Sequence, residues 1–141
     1  LMESKNIKSE RFSEITSVAA DAVTLLDTIG QLRLIYSLAG IVFVGGSLVP
    51  VGGHNILEPA FFEKPIIVGP YMHNFREIAR LFLSCQALEQ AKDAAELKNK
   101  LRELIADRDR LKELGQAAKS VIVSMQGATN TNFNIMEMNL L

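Results

Sequence analysis

The chain has 141 residues and a mass of 15.5 kDa, which is the size of one ordinary domain. Fifteen lysines and arginines against sixteen aspartates and glutamates give a formal net charge of −1. This balance supplies no basic excess for a phosphate backbone, so nucleic acid is excluded as the main partner. The composition, 48% hydrophobic and 22% charged, indicates a globular chain rather than a disordered one. Cys85 is the only cysteine, which excludes an intramolecular disulfide and is typical of a reducing cytosol.

A long uncharged stretch separates Arg33 from Glu58. It contains five glycines and Pro50, and a helix in lipid must satisfy its whole backbone internally. These residues interrupt such a helix, so the stretch predicts a buried strand followed by a loop and not a membrane span.

The first half of the chain predicts strands that alternate with helices. The first twenty residues carry only a weak helical pattern, around Phe12 and Ile15. Residues 22–26 predict a short buried strand, and residues 28–31 (Thr-Ile-Gly-Gln) have the form of a capping box that opens a helix. Residues 41–44 form a continuous apolar run, which predicts a strand buried on both faces of a parallel sheet.

The middle of the chain continues this alternation. A helix is predicted from about residue 55 to residue 63, and residues 65–68 predict the next strand. Asn74 and Glu77 have capping-box spacing at the start of a further helix, and we see no reason to give them more than a capping role. Cys85, at the end of that helix, is predicted to be a buried hydrophobic residue.

The last third is rich in charge and predicts amphipathic helices. Asp93 and Glu96 cap the first of them, and a second begins before Leu111. The charged residues from 98 to 113 are predicted to form a solvated face, and residues 128–141 a last helix that packs back. Alternating strands and helices of this kind predict an α/β fold with parallel strands.

The strongest candidate site is the glycine-rich segment of residues 44–59. Gly45, Gly46 and Ser47 follow a predicted strand, and Gly53 with its glycine neighbour leads into a predicted helix. Ligands bind beyond the carboxyl ends of parallel strands, and glycines let the backbone approach them closely. The segment therefore suits a phosphate and its attached sugar, although it is neither a GxGxxG fingerprint nor a Walker motif.

Two polar residues of this segment allow more than one interpretation. Asn55 and Glu58 have capping-box spacing, and Glu58 could instead accept hydrogen bonds from ribose hydroxyls. His54 has no nearby cysteine and no second spaced histidine, so metal ligation is not indicated. Nothing in the sequence marks Ser47 as a nucleophile, and His73 is predicted to be a turn residue.

Several motifs together resemble one known family, the 3-deoxy-D-manno-octulosonic acid (Kdo) transferases of lipid A biosynthesis. The resemblance covers roughly residues 10 to 135. It rests on six short motifs in family order: DTIG at 27–30, FVGGSL at 43–48, GGHN at 52–55, LEP at 57–59, Gly69-Pro70 and Asn74-Phe75. Tyr71 departs from the family pattern, which often has histidine at that position.

The resemblance implies a fold and an activity. It implies the Rossmann-like C-terminal domain of a GT-B glycosyltransferase, truncated at its N-terminal side, with C-terminal helices; residues 1–141 would form this single partial domain. The family moves Kdo from CMP-Kdo to a lipid A precursor by an inverting reaction that needs no metal and no cofactor. The catalytic base and the acceptor surface belong to the family's N-terminal domain, so we expect no catalytic residue here and no activity from this chain alone. The intact enzyme would act at the cytoplasmic face of the bacterial inner membrane.

The resemblance also implies roles for individual residues. Glu58 is implied to hold the ribose, and Gly46, Ser47 and the N–H groups near Asn55 to cradle the CMP phosphate. The remaining implied donor-binding residues are Thr28, Gly30, Gly45, Gly53 and His54. Two other functions stay open: a GT-B donor domain for a UDP- or GDP-sugar, and a non-catalytic α/β module in which the glycines only build turns.

Overall fold

The computed structural model describes residues 7–15 and 21–138. The chain divides into two compact units, Leu1–Ser37 and Leu38–Leu141. Strands and helices alternate along it in this order: β1 (Ser9–Arg11), β2 (Val23–Leu25), α1 (Leu32–Leu38), β3 (Val42–Phe43), α2 (Leu57–Phe61), β4 (Ile66–Val68), α3 (Arg76–Ser84), β5 (Glu89–Gln90), α4 (Ala94–Ala106) and α5 (Arg108–Met138).

The first unit contains a parallel pair, β1 and β2, in which Ser9 lies opposite Val23. The helix predicted around Phe12 and Ile15 is wrong, because β1 is followed only by a short 3₁₀ turn, Phe12–Glu14. Weak helical propensity yields here to backbone pairing with β2, which the local sequence does not reveal. The predictions for residues 1–6 and 16–20 lie outside the described residues.

Strand β2 is confirmed, but its predicted burial is wrong. Val23 and Leu25 keep 43% and 49% of their surface exposed. The helix after it begins at Leu32, where the Ile35 N–H donates to the carbonyl of Gln31. Thr28 is therefore too far upstream to cap α1, and the predicted capping box is wrong.

Asp27 connects the two turns of the first unit. The backbone N–H and the hydroxyl of Ser13 donate to its two carboxylate oxygens at 3.0 and 2.7 Å. These hydrogen bonds, with the nearby Arg11 guanidinium, hold the pKa of Asp27 below its usual range. The carboxylate thus fastens the segment after β1 to the segment after β2.

The second unit is built around β4, the central strand of the parallel sheet β3-β4-β5. All three β4 residues are fully buried, with Ile66 and Val68 in one hydrophobic cluster and Ile67 in the other. A strand turns alternate side chains to opposite faces, so β4 carries the core on both sides. The strand predicted at 41–44 is confirmed as β3, but Phe43 is 37% exposed. The predicted burial on both faces is wrong there. Strand β3 is an edge strand of the described sheet, so neighbouring side chains cover its faces less completely than those of the central β4.

Helices cover the two faces of this sheet. The larger cluster combines β4 with α2, α3 and the middle of α5, and Phe82 is its largest fully buried side chain. The smaller cluster combines Ile67 with α4 and the start of α5, through Leu104 and Leu114. The α/β fold with parallel strands is confirmed.

The cap of α4 is also confirmed. The Asp93 carboxylate accepts from the N–H of Glu96 at 2.8 Å, and the Glu96 carboxylate accepts from the N–H of Lys92 at 3.0 Å. The second predicted helix is α5, which continues to Met138. The predicted packing of residues 128–141 lies outside the described side chains. Cys85 is exposed at the C-terminal end of α3, so its predicted burial is wrong.

Strand β5 was not predicted, because its two residues are polar. Glu89 is nevertheless half-buried, and it accepts from Lys100 on α4 at 2.9 Å and from Arg110 on α5 at 3.0 Å. Burial raises the pKa of Glu89, but the hydrogen bonds from the two cations outweigh it, and the net pKa lies below the ordinary 4.5. The predicted solvated face is therefore wrong at these two cations, which fasten both helices to the sheet.

We predict that Glu89→Gln lowers the free energy of unfolding by about 1 kcal/mol at pH 7, because two cations lose their carboxylate. The depressed folded-state pKa makes this stabilisation present above the unfolded-state pKa and lost as pH falls through the folded-state pKa. In urea unfolding, the free energy of unfolding of the wild type should therefore exceed that of Glu89→Gln by a constant amount above pH 5, and this difference should shrink below pH 4.5. The control Glu14→Gln, at an exposed side chain of the first unit, should show no such trend; equal behaviour of the two variants would contradict the role of Glu89.

Candidate functional site

The candidate site lies where β3 and β4 end. Since these strands are parallel neighbours, the segments that follow them emerge at the same edge of the sheet. We call residues 44–55 the glycine loop and residues 69–75 the β4–α3 turn. Ligands of open α/β sheets bind at this edge.

Ser47 joins the glycine loop to the β4–α3 turn. It is fully buried, and its hydroxyl donates to the carbonyl of Val44 while accepting from the N–H of Gly69 at 2.7 Å. Its own carbonyl accepts from the N–H of Tyr71 at 2.9 Å. The hydroxyl is thus occupied by the protein itself, and the arrangement makes Ser47 a junction residue between the two segments; its predicted contact with a phosphate stays a prediction.

Three glycines at this junction, Gly52, Gly53 and Gly69, leave no room for a side chain. A Cβ on Gly69 would lie 2.1 Å from the carbonyl oxygen of Ser47. A Cβ on Gly53 would lie 2.2 Å from the Met72 sulfur, and the φ of Gly53 is +70°. The Gly53 N–H also donates to the carbonyl of Gly46 at 3.1 Å, which closes the glycine loop on itself. The fixed loop geometry therefore depends on the absence of these side chains.

Asn74 makes the second connection between the two segments. Its side-chain amide donates to the carbonyl of Val51 at 3.3 Å, and its backbone N–H donates to the carbonyl of Gly52 at 3.2 Å. Helix α3 begins at Arg76 with Phe75 as its N-cap residue, so the predicted capping role of Asn74 is wrong. Its amide contacts carbonyls of a distant loop, which capping-box spacing alone does not indicate.

Asn55 and Glu58 also do not form the predicted capping box. Asn55 Oδ1 accepts from the N–H of Leu57 at 2.9 Å, and Asn55 Nδ2 donates to the Glu58 carboxylate at 3.4 Å. The N-cap residue of α2 is the apolar Ile56, and the helix has five residues rather than the predicted nine. So short a helix has little macrodipole to offer a phosphate. Glu58 is exposed, and its carboxylate remains open to a ligand.

Gly45 and His54 form the open part of the glycine loop. No atom of the described residues lies within 4 Å of the position where a Cβ on Gly45 would be. The same position on Gly46 is 3.6 Å from His54 Nε2, so the exposed imidazole lies beside the Gly46 backbone. Unlike Gly53 and Gly69, Gly45 is not required by packing, and space is available against its backbone.

The second unit thus brings together most of the residues predicted to bind the donor: Gly45, Gly46, Ser47, Gly53, His54, Asn55 and Glu58. Thr28 and Gly30 lie in the first unit. The Thr28 hydroxyl is buried without a hydrogen-bond partner among the described residues, and Gly30 has a φ of +87°. Sequence reasoning assigned no role to Gly69 and only a capping role to Asn74, although both stand in the motifs that carry the resemblance.

The described ranges contain neither a metal-ligand cluster nor a membrane-spanning helix. No group of three histidine, cysteine, aspartate or glutamate side chains there is placed to hold a metal ion. None of the helices in those ranges combines the length and apolar character needed to cross a membrane.

Comparison with known proteins identifies the family. No protein-family model matches the chain. The 3-deoxy-D-manno-octulosonic acid transferase of Haemophilus influenzae is 35% identical over 116 residues, which are 82% of this chain and 27% of that protein. The crystal structure of the C-terminal CMP-Kdo binding domain of WaaA from Acinetobacter baumannii matches with a TM-score of 0.80 at 36% identity, covering 86% of this chain and 64% of that one. The chain belongs to the 3-deoxy-D-manno-octulosonic acid transferase family.

Within this family the chain corresponds to a part of the whole enzyme. It spans about a quarter of the length of the Haemophilus influenzae transferase, and likewise 26% of the Aquifex aeolicus transferase, which is 37% identical over 90 residues. A bifunctional glycosyltransferase/methyltransferase of Fusobacterium nucleatum is 41% identical over 86 residues. The solved structure that matches the chain is a C-terminal domain.

We predict that Gly69→Ala destabilises this Kdo transferase chain by about 3 kcal/mol or prevents folding, because the new methyl group meets backbone atoms that cannot move independently. The matched variant Gly45→Ala should change the free energy of unfolding by less than about 1 kcal/mol, since its methyl group meets open space. Urea unfolding at pH 7 measures both, and similar losses would contradict the distinction between the two glycines.

We further predict that Ser47→Ala lowers the free energy of unfolding by about 1–3 kcal/mol, because the buried N–H of Gly69 loses its acceptor. The control Ser120→Ala removes an exposed hydroxyl that bonds within its own helix, and it should cost less than about 0.5 kcal/mol. Thermal unfolding followed by circular dichroism distinguishes them. A Ser47→Ala variant as stable as the wild type would rule out the junction role.

Proposed function

We propose that the chain is the donor-binding part of a GT-B glycosyltransferase that moves Kdo from CMP-Kdo to a lipid A precursor in lipopolysaccharide biosynthesis. One observation carries the proposal: the backbone at Gly45 is open at the carboxyl edge of the sheet, and the exposed side chains of His54 and Glu58 follow it in the same segment of the chain. The family membership and the likeness to a CMP-Kdo binding domain support it.

The proposed phosphate contact is made by backbone rather than by side chains. Backbone N–H groups of Gly45 and Gly46 would donate to the phosphate, because the missing side chains allow it to approach. When the bond between the sugar and the phosphate oxygen breaks, its electron pair stays on that oxygen. N–H donors fixed in advance at this oxygen lower the energy of the transition state. Ser47 and Asn74 would act as positioning residues that hold the loop in place.

The proposed nucleoside contact is made by Glu58. Among the residues that the structure describes, only the Asn55 amide contacts its carboxylate, at 3.4 Å, and a carboxylate accepts strong hydrogen bonds from a pair of ribose hydroxyls. His54 would contact the phosphate or the sugar from the other side of Gly46. The donor-binding role of Thr28 and Gly30, which belong to the first unit, stays a prediction.

The rest of the reaction is proposed to depend on parts of the relatives that this chain does not span. The base that activates the acceptor, and the surface for the lipid A precursor, would lie there, at the cytoplasmic face of the inner membrane. The reaction would invert the anomeric centre without a metal. The 141 residues alone should therefore bind donor without transferring sugar.

We predict that CMP shifts the backbone amide signals of Gly45, Gly46 and Glu58 in an NMR titration of the chain, more strongly than UMP or GMP. Equal shifts with all three nucleotides would retain a phosphate site and contradict the preference for cytosine. No shift in the glycine loop at millimolar CMP would contradict the proposed donor site.

Two variants sharpen this titration. Glu58→Gln and Gly45→Ala should each weaken CMP binding about tenfold or more, the first by loss of a charged acceptor and the second by steric exclusion of the phosphate. Both should keep the wild-type free energy of unfolding within about 1 kcal/mol. The control Glu103→Gln should bind CMP as the wild type does, and an equal loss in that variant would show a nonspecific charge effect.

A further inference from the structure

A cavity of about 350 Å³ opens at the carboxyl edge of the sheet β3-β4-β5, the edge at which the glycine loop also lies. The β4–α3 turn, helix α3 and the end of β5 enclose it. The residues that line it include Tyr71, Met72, His73, Arg76, Arg80 and Gln90. The cavity thus lies at the carboxyl ends of β4 and β5, whereas the glycine loop lies at the carboxyl end of β3. Its volume is within the range of small-molecule sites.

The charge of this cavity is one-sided. Arg76 and Arg80 contribute guanidinium groups, while no carboxylate is present among its lining residues in the described part of the chain. Arg80 pairs with Glu77 at 3.5 Å, but both side chains are largely exposed and such a pair is weak. Arg76 has no ion pair within residues 7–15 and 21–138. An uncompensated cationic group beside a cavity attracts an anion, and arginine matches the two oxygens of a carboxylate.

The β4–α3 turn is shared between this cavity and the glycine loop. Tyr71 lines the cavity with its side chain and bonds to the Ser47 carbonyl through its N–H. Met72 lines the cavity, and its sulfur packs against Gly53. Gln90 lines it too, and its amide donates to the carbonyl of Gly69 at 3.3 Å. The junction that fixes the glycine loop therefore also fixes the wall of the cavity.

We propose that this cavity binds the sugar acid of the donor, with Arg76 as the partner of its carboxylate. The proposal rests on the proposed function, because the sugar moved by the family is an octulosonic acid and carries one carboxylate beside the phosphate linkage. The apolar side chains in the wall, Met72, Ala79 and Leu83, suit the C–H surface of a sugar chain. Arg80 and His73 add further donors at the rim. The donor would then be held by its phosphate at the glycine loop and by its carboxylate in the cavity.

The test is an NMR titration of the isotope-labelled chain with three separate ligands: free 3-deoxy-D-manno-octulosonic acid, CMP and inorganic phosphate. The sugar acid should shift the amide signals of Tyr71, His73 and Arg76. Arg76→Gln should weaken that binding about tenfold or more and leave the CMP response of Gly45 and Gly46 as in the wild type. The matched control Arg102→Gln, an exposed arginine on α4, should change neither response.

The other outcomes separate this proposal from the proposed function. If CMP binds the glycine loop and the sugar acid leaves the cavity unchanged, only the cavity proposal is overturned. If Arg102→Gln weakens the sugar acid as much as Arg76→Gln does, or if phosphate binds the cavity as tightly, the assignment to the sugar acid is overturned. If CMP leaves the glycine loop unchanged, the proposed function itself fails, whichever way the sugar acid behaves.

Discussion

The hydrogen bonds of Ser47 are the interaction on which the candidate site depends. Parallel pairing of β3 and β4 brings two loops to one edge of the sheet, but it does not determine how those loops are arranged. The buried Ser47 hydroxyl does so, because it joins the end of its own strand to the N–H of Gly69. Burial makes these bonds costly to break, since a lost partner leaves a polar group without water. Asn74 adds a second connection farther along the same two segments.

The glycines of this region consequently serve different purposes. Gly69 and Gly53 have no room for a side chain, and they allow the two loops to touch. Gly45 has room for one, so packing gives no reason for its glycine. The proposed ligand at the open backbone would supply the reason that packing does not. Gly53 and Gly69 thus allow the close contacts that hold the loop, while Gly45 faces solvent. This division explains how a site can be held in place and still be accessible.

The far side of the sheet supports the same edge. The Glu89 carboxylate forms ion pairs with Lys100 and Arg110, and these ion pairs connect β5 to α4 and α5. The next residue, Gln90, donates to the Gly69 carbonyl, so β5 connects this ionic network to the β4–α3 turn. The central strand β4 is buried on both faces, where close packing leaves the side chains few alternative arrangements. The glycine loop and the cavity beside α3 are therefore both supported by β4 and by the ion pairs of β5.

Local patterns in the chain were enough to predict the α/β class, the positions of the second, third and fourth strands, the cap of α4 and the location of the glycine loop. These patterns are apolar runs, side-chain periodicity and glycine pairs. Long-range contacts determine which polar residues cap helices and which join loops, since Asn74 and Asn55 have the same spacing to a glutamate but different partners. The tertiary structure alone revealed β1 and β5, whose short polar sequences become strands by pairing with a neighbour. The physical reason is that a hydrogen bond to a distant carbonyl leaves no periodic trace in the chain.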